Sequence, residues 1–255
     1  MAHRVTSRLL VFLFFLSIAV PIVGLVVFTF TSGDTAWSAY QLLFADGQFH
    51  GAILSSFLMG LLSVALSILL LTPPLWYAYL YDPRALKVIE GFSFISFVLP
   101  AVVLGLGYVQ FFSDGPLPLA GTPDLLPFAM TLLGMPFYTQ AVLNRLRYMD
   151  AKTYHDAARS LGGSTVTSLV KVQLPLLKIG ILNGSVLVFT ISLGEFTITQ
   201  LTTGGSYITL PIYMQSMFQA SPTEASAMAV VGLVISAIAI FVALGALTRN
   251  RRVTS

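Results

Sequence analysis

The amino-acid sequence contains no cysteine. Disulfide bonds, thiolate nucleophiles and thiolate metal ligands are therefore excluded from this protein. Lysine never follows glycine, so the sequence also lacks the Gly-x-x-x-x-Gly-Lys-Ser/Thr loop that cradles nucleotide phosphates. A P-loop ATPase that works with this chain must be a separate polypeptide, and we do not expect the chain itself to be an enzyme.

Charged residues are also scarce. They make up 9% of the sequence, against 56% for hydrophobic residues, whereas soluble domains are about a quarter charged. So few charges could not cover the surface of a soluble protein of 255 residues. The composition predicts a membrane protein whose main partner is the lipid bilayer. No basic face interleaved with aromatic residues is present, so no nucleic-acid partner is expected.

The thirteen lysine and arginine residues fall into four groups. They are Arg4 and Arg8; Arg84 and Lys87; Arg145, Arg147, Lys152, Arg159, Lys171 and Lys178; and Arg249, Arg251 and Arg252. The connections at 31–50, 113–124 and 203–224 contain neither residue type. Because positive residues that flank membrane spans stay in the cytoplasm, this pattern predicts an even number of spans with both termini cytoplasmic.

The apolar runs predict an all-α, polytopic fold with six transmembrane helices, since a helix needs about 20 apolar residues to cross a bilayer. The expected spans are 9–30, a part of 47–81, 89–112, 125–143, 179–203 and 225–247. A signal peptide is the alternative for the first run, but the run is long and no Ala-x-Ala site follows it.

Three prolines within the expected spans, Pro100, Pro127 and Pro136, predict kinks in those helices. Trp76, Tyr77, Tyr79 and Tyr81 are typical of an interfacial aromatic belt.

The polar segment 145–178 is predicted to hold a short cytoplasmic helix. Thr153 is a candidate N-cap, and Asp156 stands three residues later, as in a capping box. Gly162 or Gly163 is expected to end the helix in a left-handed conformation. A second helical piece should begin near Ser164 and continue into the fifth span.

The same segment resembles the cytoplasmic signature of ABC importer permeases, the inner-membrane subunits of binding-protein-dependent transport systems. That signature is an acidic residue, two alanines, three residues, glycine, nine residues, an aliphatic residue, one residue and Leu-Pro. The matching positions are Asp156, Ala157, Ala158, Gly162, Val172, Leu174 and Pro175. Asp156 stands where glutamate is usual, and Val172 where isoleucine is usual.

The resemblance implies that the loop 153–175 docks on a separate ATPase and couples ATP binding to the membrane helices. It implies two ABC ATPase subunits, a second permease subunit, identical or homologous, and an extracytoplasmic substrate-binding protein. It also implies a location in the inner membrane of a prokaryotic cell. Because no low-complexity linker and no soluble domain is visible in the sequence, we expect a single permease domain over 1–255, with the coupling segment at 145–178. No cofactor is expected.

Glu195 is the one ionisable residue expected deep within a span, which makes it a candidate functional residue. Together with Gly194 and Phe196 it is predicted to line the substrate pathway or form a gate. The alternative is a structural carboxyl group near the outer boundary. Gly180 and Gly184, four residues apart, indicate either a helix–helix seam or a pathway lining.

The run 203–214, together with Gly194, Glu195 and Phe196, resembles the permeases for polyamines, ferric iron and thiamine. Within that group, the Gly-Ser-Tyr of 205–207 and the run 221–225 most resemble the spermidine/putrescine branch. A polyamine is therefore the first expectation for the substrate. Ferric iron, thiamine or another small solute are the alternatives.

Two other classes of protein fit the sequence less well. A proton- or ion-coupled secondary transporter would be expected to carry inverted repeats and several charges at mid-membrane, and one carboxylate fits it poorly. A membrane-embedded enzyme or scaffold fits less well still. His3, His50 and His155 belong to a tail, an outer loop and the cytoplasmic segment, so no histidine metal site and no catalytic site are expected.

Overall fold

The computed structural model describes residues 2–31, 36–114, 117–220 and 222–251. Ser221 and Arg252, which belong to two of the sequence patterns above, lie outside these ranges. The described chain is helical and contains no β-strand. The helices are α1 (Ala2–Thr31), α2 (Ala36–Ala45), α3 (Gly47–Tyr81), α4 (Pro83–Val98), α5 (Ala101–Ser113), α6 (Leu126–Tyr148), α7 (Ala151–Ser160), α8 (Thr165–Thr167), α9 (Leu174–Gly194), α10 (Thr197–Thr203), α11 (Leu210–Ala220) and α12 (Pro222–Arg251). A 3-10 turn, Pro123–Leu125, precedes α6, and a π-helical segment, Ser168–Gln173, precedes α9.

Four helical stretches are long and apolar enough to cross a membrane. They are Thr6–Thr31, Gly47–Tyr81, Pro123–Tyr148 and Thr165–Gly194. The pair α4 and α5 adds a fifth if it counts as one span. The expected sixth span falls on α12, within which Thr223–Ile238 forms an apolar helical stretch. The all-α membrane fold is confirmed, while the count of six spans remains a prediction.

The third span is not the single helix predicted over 89–112. The axis turns by 103° between α4 and α5. Leu99 adopts an extended conformation, φ −76° and ψ 133°, directly before Pro100. Proline disfavours a helical conformation in the residue before it and removes one backbone donor. The predicted kink is therefore a complete break of the helix.

Helices α3, α6 and α9 form the core of the molecule, and glycine allows them to approach closely. A Cβ atom on Gly184 would lie 2.7 Å from the Tyr138 ring, and one on Gly180 would lie 2.5 Å from the Arg145 Cβ. Gly60 of α3 lies against Phe189 in the same way. Of the two roles predicted for Gly180 and Gly184, the structure supports the seam between α9 and α6.

Several hydroxyl groups inside this core bond to nearby backbone or to one another, whereas those of Thr139 and Ser185 have no hydrogen-bond partner. Ser63 and Ser67 of α3 donate to the carbonyl groups of Met59 and Ser63 at 2.7 and 2.8 Å. The Thr72 and Tyr138 hydroxyls lie 2.7 Å apart across the seam between α3 and α6. Such bonds avoid the cost of unpaired polar groups in an apolar interior.

The contacts bring the basic groups in the middle of the chain to one end of the helices. Arg147 at the end of α6 forms a 2.6 Å ion pair with Glu90 of α4. Arg145 donates from Nε to the Leu176 carbonyl at 2.8 Å. This arrangement agrees with the predicted threading.

The lysine- and arginine-free connections meet at the opposite end. Tyr213 donates to Asp46 at 2.6 Å, and the Gly121 amide donates to the Thr202 carbonyl at 2.8 Å. The Tyr213 hydroxyl, together with the Gln48 amide, lowers the pKa of the Asp46 carboxyl group. Asp46 thereby caps α3 and fastens α11 to it.

The sidedness of the two ends is testable by cysteine labelling, because the native chain supplies no background thiol. Ser160 lies at the basic end and Leu117 in a connection without lysine or arginine, and both are exposed. With a membrane-impermeant maleimide on intact cells, Leu117→Cys should label and Ser160→Cys should label only after permeabilisation. Labelling of Ser160→Cys in intact cells would overturn the predicted orientation.

Candidate functional site

Helix α7 begins earlier than the sequence predicted. Its N-cap is Asp150, which adopts the left-handed conformation at φ 48° and makes no side-chain cap bond. The Thr153 hydroxyl donates to the Asp150 carboxylate at 2.7 Å. Thr153 therefore lies in the first turn and Asp156 in the middle of the helix. The predicted capping box is wrong, because Asp150 tolerates the left-handed turn that starts the helix three residues sooner.

The C-terminal end of α7 is as predicted. Gly162 has φ +80°, its amide donates to the Arg159 carbonyl at 3.0 Å, and the Gly163 amide donates to the Ala158 carbonyl at 2.9 Å. These two bonds define a Schellman motif. A Cβ on Gly163 would lie 2.8 Å from the Ala158 oxygen. Both glycines are needed, Gly162 for its φ angle and Gly163 for space.

The outward face of α7 is exposed and partly apolar. Asp156 and Ala157 are exposed, and Ala158 is half-buried. Leu161 is 89% exposed, and Val166, just after the turn, is 68% exposed. Leu161 lies outside the apolar spans and adds a large apolar group to the outward face of α7. The sequence signature identified the helix but gave no sign of Leu161 and Val166.

The rest of the signature forms the entry into α9. Ser164 caps α8 by accepting a bond from the Thr167 amide at 3.1 Å. Within the π segment, the Leu174 amide donates to the Leu169 carbonyl five residues earlier. Val172 and Leu174 are half-buried and Pro175 is exposed. Pro175 has no amide hydrogen and cannot donate an α-helical hydrogen bond to the preceding turn. The wider π turn lies directly before this proline.

The inward face of α7 carries His155, which is buried. Its Nδ1 lies 2.9 Å from the Ser168 hydroxyl, and its Nε2 lies 2.7 Å from the Tyr81 hydroxyl at the end of α3. Trp76, expected in an interfacial belt, is also buried here, and its Nε1 donates to Gln173 at 2.7 Å. Sequence reasoning missed this cluster because its residues are scattered from α3 to the π segment.

Glu195 does not lie within a helix, contrary to the prediction of a continuous fifth span to residue 203. Helix α9 ends at Gly194, and Glu195 is extended at φ −79° and ψ 118°. Its Oε1 accepts a hydrogen bond from the Ile198 amide at 2.7 Å, so the carboxyl group, one residue before the N-cap Phe196, caps the first turn of α10. A carboxylate that caps its own next helix turn satisfies an otherwise unpaired backbone donor. Phe196 is half-buried and, like Glu195, lies between the end of α9 and the start of α10.

Helix α10 packs closely on α5. A Cβ on Gly105 of α5 would lie 2.8 Å from the Leu201 side chain. The Gly121 amide holds the connection after α5 to Thr202. The break at Glu195 therefore sets the position of a small helical pair at the end opposite to α7.

A groove of about 600 Å³ opens between α4, α6 and α9. Its walls combine aromatic rings with three amide side chains. The rings are Phe94, Phe97 and Phe137, and the amides are Gln140, Asn144 and Asn183. By contrast, the exposed side chains Leu54, Leu58 and Leu61 on α3 are apolar. Amides are costly to expose to lipid tails, and the groove carries such groups where the α3 face does not.

Comparisons with known proteins agree with these features. A family model described as the binding-protein-dependent transport system inner membrane component matches residues 74–253. The spermidine/putrescine transport system permease protein PotC of Escherichia coli K12 is 29% identical over 227 residues, which cover 85% of this chain and 84% of the relative. PotC of Haemophilus influenzae is 28% identical over 204 residues, 79% of this chain and 77% of the relative.

A solved bacterial ABC transporter involved in the import of the acidic polysaccharide alginate shares the fold. Its chain aligns with a TM-score of 0.68 at 17% identity and covers 98% of this chain and 96% of its own length. At that identity the likeness concerns the fold alone.

Proposed function

The chain belongs to the family of binding-protein-dependent transport system inner membrane components, and we propose that it forms half of the substrate pathway of an ATP-driven importer. It is a multi-pass membrane protein of the permease class and not the ATPase of such a system. The proposed location is the inner membrane of a prokaryotic cell. A separate ATPase would be coupled to the chain through residues 153–175.

The outward face of α7 is the observation that carries this proposal. The helix is short, stands outside the apolar spans, ends in a Schellman motif and exposes Asp156, Ala157 and Leu161. Ala157 lies opposite the buried His155 at 100° per residue, and its small side chain permits close approach by another backbone. The proposed coupling residues are those of the signature, Asp156, Ala157, Ala158, Gly162, Val172, Leu174 and Pro175.

The groove supports a second permease subunit as a partner. Asn144 and Asn183 are exposed on helices that are expected to lie within the membrane. Covering this face with a second copy or a homologue would remove the amides from lipid and enclose a polar route between the subunits. Two ATPase subunits and an extracytoplasmic binding protein would complete the assembly, as the family membership implies.

A polyamine is the proposed substrate. Both PotC relatives carry spermidine/putrescine in their names. The groove presents amide oxygens, which accept hydrogen bonds from ammonium groups, and phenylalanine rings, whose faces attract cations. The Phe97 and Phe137 rings pack edge to face with centroids 5.6 Å apart, so the aromatic wall is preformed.

We assign the break after α9, Gly194, Glu195 and Phe196, as a pathway or gate element at the outer end. Glu195 caps α10, and α10 packs on α5. A change in the Glu195 environment would therefore move two helices together. The carboxylate would also offer a negative charge to a cationic substrate.

The docking role of α7 is tested by Ala157→Trp, because an indole on the outward face would block a close partner without touching the core. We expect normal insertion, at least tenfold weaker ATPase binding, corresponding to about 1.4 kcal/mol, and loss of ATP-driven spermidine uptake. Lys87→Trp, exposed at the same end of the helices, is the matched control and should retain both. Wild-type ATPase affinity in Ala157→Trp would refute docking through α7.

Glu195→Gln and Glu195→Leu separate the gate from a purely structural carboxyl group. Glutamine keeps the acceptor for the Ile198 amide, whereas leucine removes it at a cost of roughly 0.5–2 kcal/mol, as for other N-caps. We expect Glu195→Gln to assemble normally but to reduce spermidine uptake sharply, and Glu195→Leu to reduce both yield and uptake. Unchanged uptake by the glutamine variant would assign Glu195 a capping role only.

A further inference from the structure

A continuous chain of hydrogen bonds links α3 to α7 and to the π segment. The indole Nε1 of Trp76 donates to Gln173 at 2.7 Å, and Gln173 Nε2 donates to the Ser168 hydroxyl at 3.0 Å. Ser168 lies 2.9 Å from His155 Nδ1. His155 Nε2 lies 2.7 Å from the Tyr81 hydroxyl. The chain therefore starts and ends on α3 and passes through the inward face of α7.

The direction of the first two hydrogen bonds follows from Trp76. An indole nitrogen is only a donor, so the Gln173 oxygen must face Trp76 and its amide group must face Ser168. The Ser168 hydroxyl accepts this bond and also lies within hydrogen-bond distance of His155 Nδ1. Either neutral tautomer of His155 satisfies both of its hydrogen bonds, with Ser168 and Tyr81 taking the complementary roles.

Four of the five residues of this chain are buried, and Tyr81 at its end is 45% exposed. Ser168 and Gln173 are fully buried, and Trp76 and His155 are each 5% exposed. The imidazole also lies against two aromatic rings. Its centroid is 6.1 Å from that of Trp76 and 5.4 Å from that of Tyr81, both edge to face. Rotation of His155 would break two hydrogen bonds and two ring contacts together.

The π segment makes the arrangement possible. Ser168 and Gln173 are five residues apart, which in an α-helix would place them about 140° apart around the axis. A π turn closes between residues five apart, so both side chains reach the same side of the helix. The irregular stretch between the glycine and the Leu-Pro of the signature thus completes the buried chain.

We propose that this buried chain positions α7 against α3, with His155 as the residue that transmits movement of α7 to the membrane helix. The inference rests on the proposed docking of an ATPase on the outward face of α7. His155 lies on the opposite, inward face, so it contributes to transmission and not to docking. A displacement of α7 would be transmitted to Tyr81 and Trp76 of α3 through these side-chain contacts. It would also be transmitted along the main chain through α8 and α9.

The test uses the complete transporter, reconstituted with its second permease, ATPase and binding protein, and measures spermidine imported per ATP hydrolysed. His155→Ala should keep ATPase binding and ATP hydrolysis, but lower the import ratio at least fivefold, as expected for loss of an energetic coupling between sites. Trp76→Phe, which removes only the indole donor, should lower it in the same direction. His50→Gln, at the opposite end of the helices, is the control.

An unchanged ratio in His155→Ala would overturn the proposal, and so would a parallel loss of ATPase binding, which would make the chain a folding element of α7. Failure of the wild-type chain to bind an ATPase would refute the proposed function instead.

A second measurement needs no ATPase. Nitrogen NMR of the purified wild-type chain should show a single neutral tautomer of His155, held by its bonds to Ser168 and Tyr81, and a tautomer mixture in Trp76→Phe. A tautomer mixture in the wild type would contradict the chain.

Discussion

The cost of unpaired polar groups in an apolar environment shapes the irregular parts of this molecule, although the buried Thr139 and Ser185 hydroxyls of the core have no hydrogen-bond partner. The hydroxyls of Ser63 and Ser67 return to the backbone of their own helix, and the backbone donor freed at the start of α10 is taken by Glu195. Where α7 meets α3, five polar side chains satisfy one another. Irregular backbone in such a protein is tolerated only where partners of this kind are supplied.

The molecule has a closely packed centre and two ends at which the helices are interrupted. Glycine-mediated contacts hold α3, α6 and α9 together, with Gly184 against Tyr138 and Gly60 against Phe189. At one end, α7 faces outward with small and apolar residues and inward with His155. At the other end, α10 packs on α5 beside the Glu195 break. We propose that ATP-driven movement is transmitted to the chain at the end that carries α7, and that the gate lies at the end that carries α10 and Glu195.

Much of the fold could be predicted because apolar length, basic flanks and the glycine stop are local signals. These signals located the helices of the core and the left-handed Gly162. The break at Pro100 was predicted only as a kink, since its 103° angle depends on the packing of α5 against α10. Glu195 was placed inside a helix because the apolar run continues past it. The hydrogen-bonded chain through His155 could not be predicted from the sequence, because Trp76 and Gln173, which bond to each other, are 97 residues apart in the sequence.

The most direct test of the account is the identity of the molecule that contacts the outward face of α7. A photo-activated cross-linker in place of Leu161, which is 89% exposed, should capture one major partner in native membranes. We predict that this partner contains a Gly-x-x-x-x-Gly-Lys-Ser/Thr loop and that its capture changes when ATP is trapped. Capture of lipid alone, or of proteins without such a loop, would contradict the coupling of this chain to an ATPase through α7.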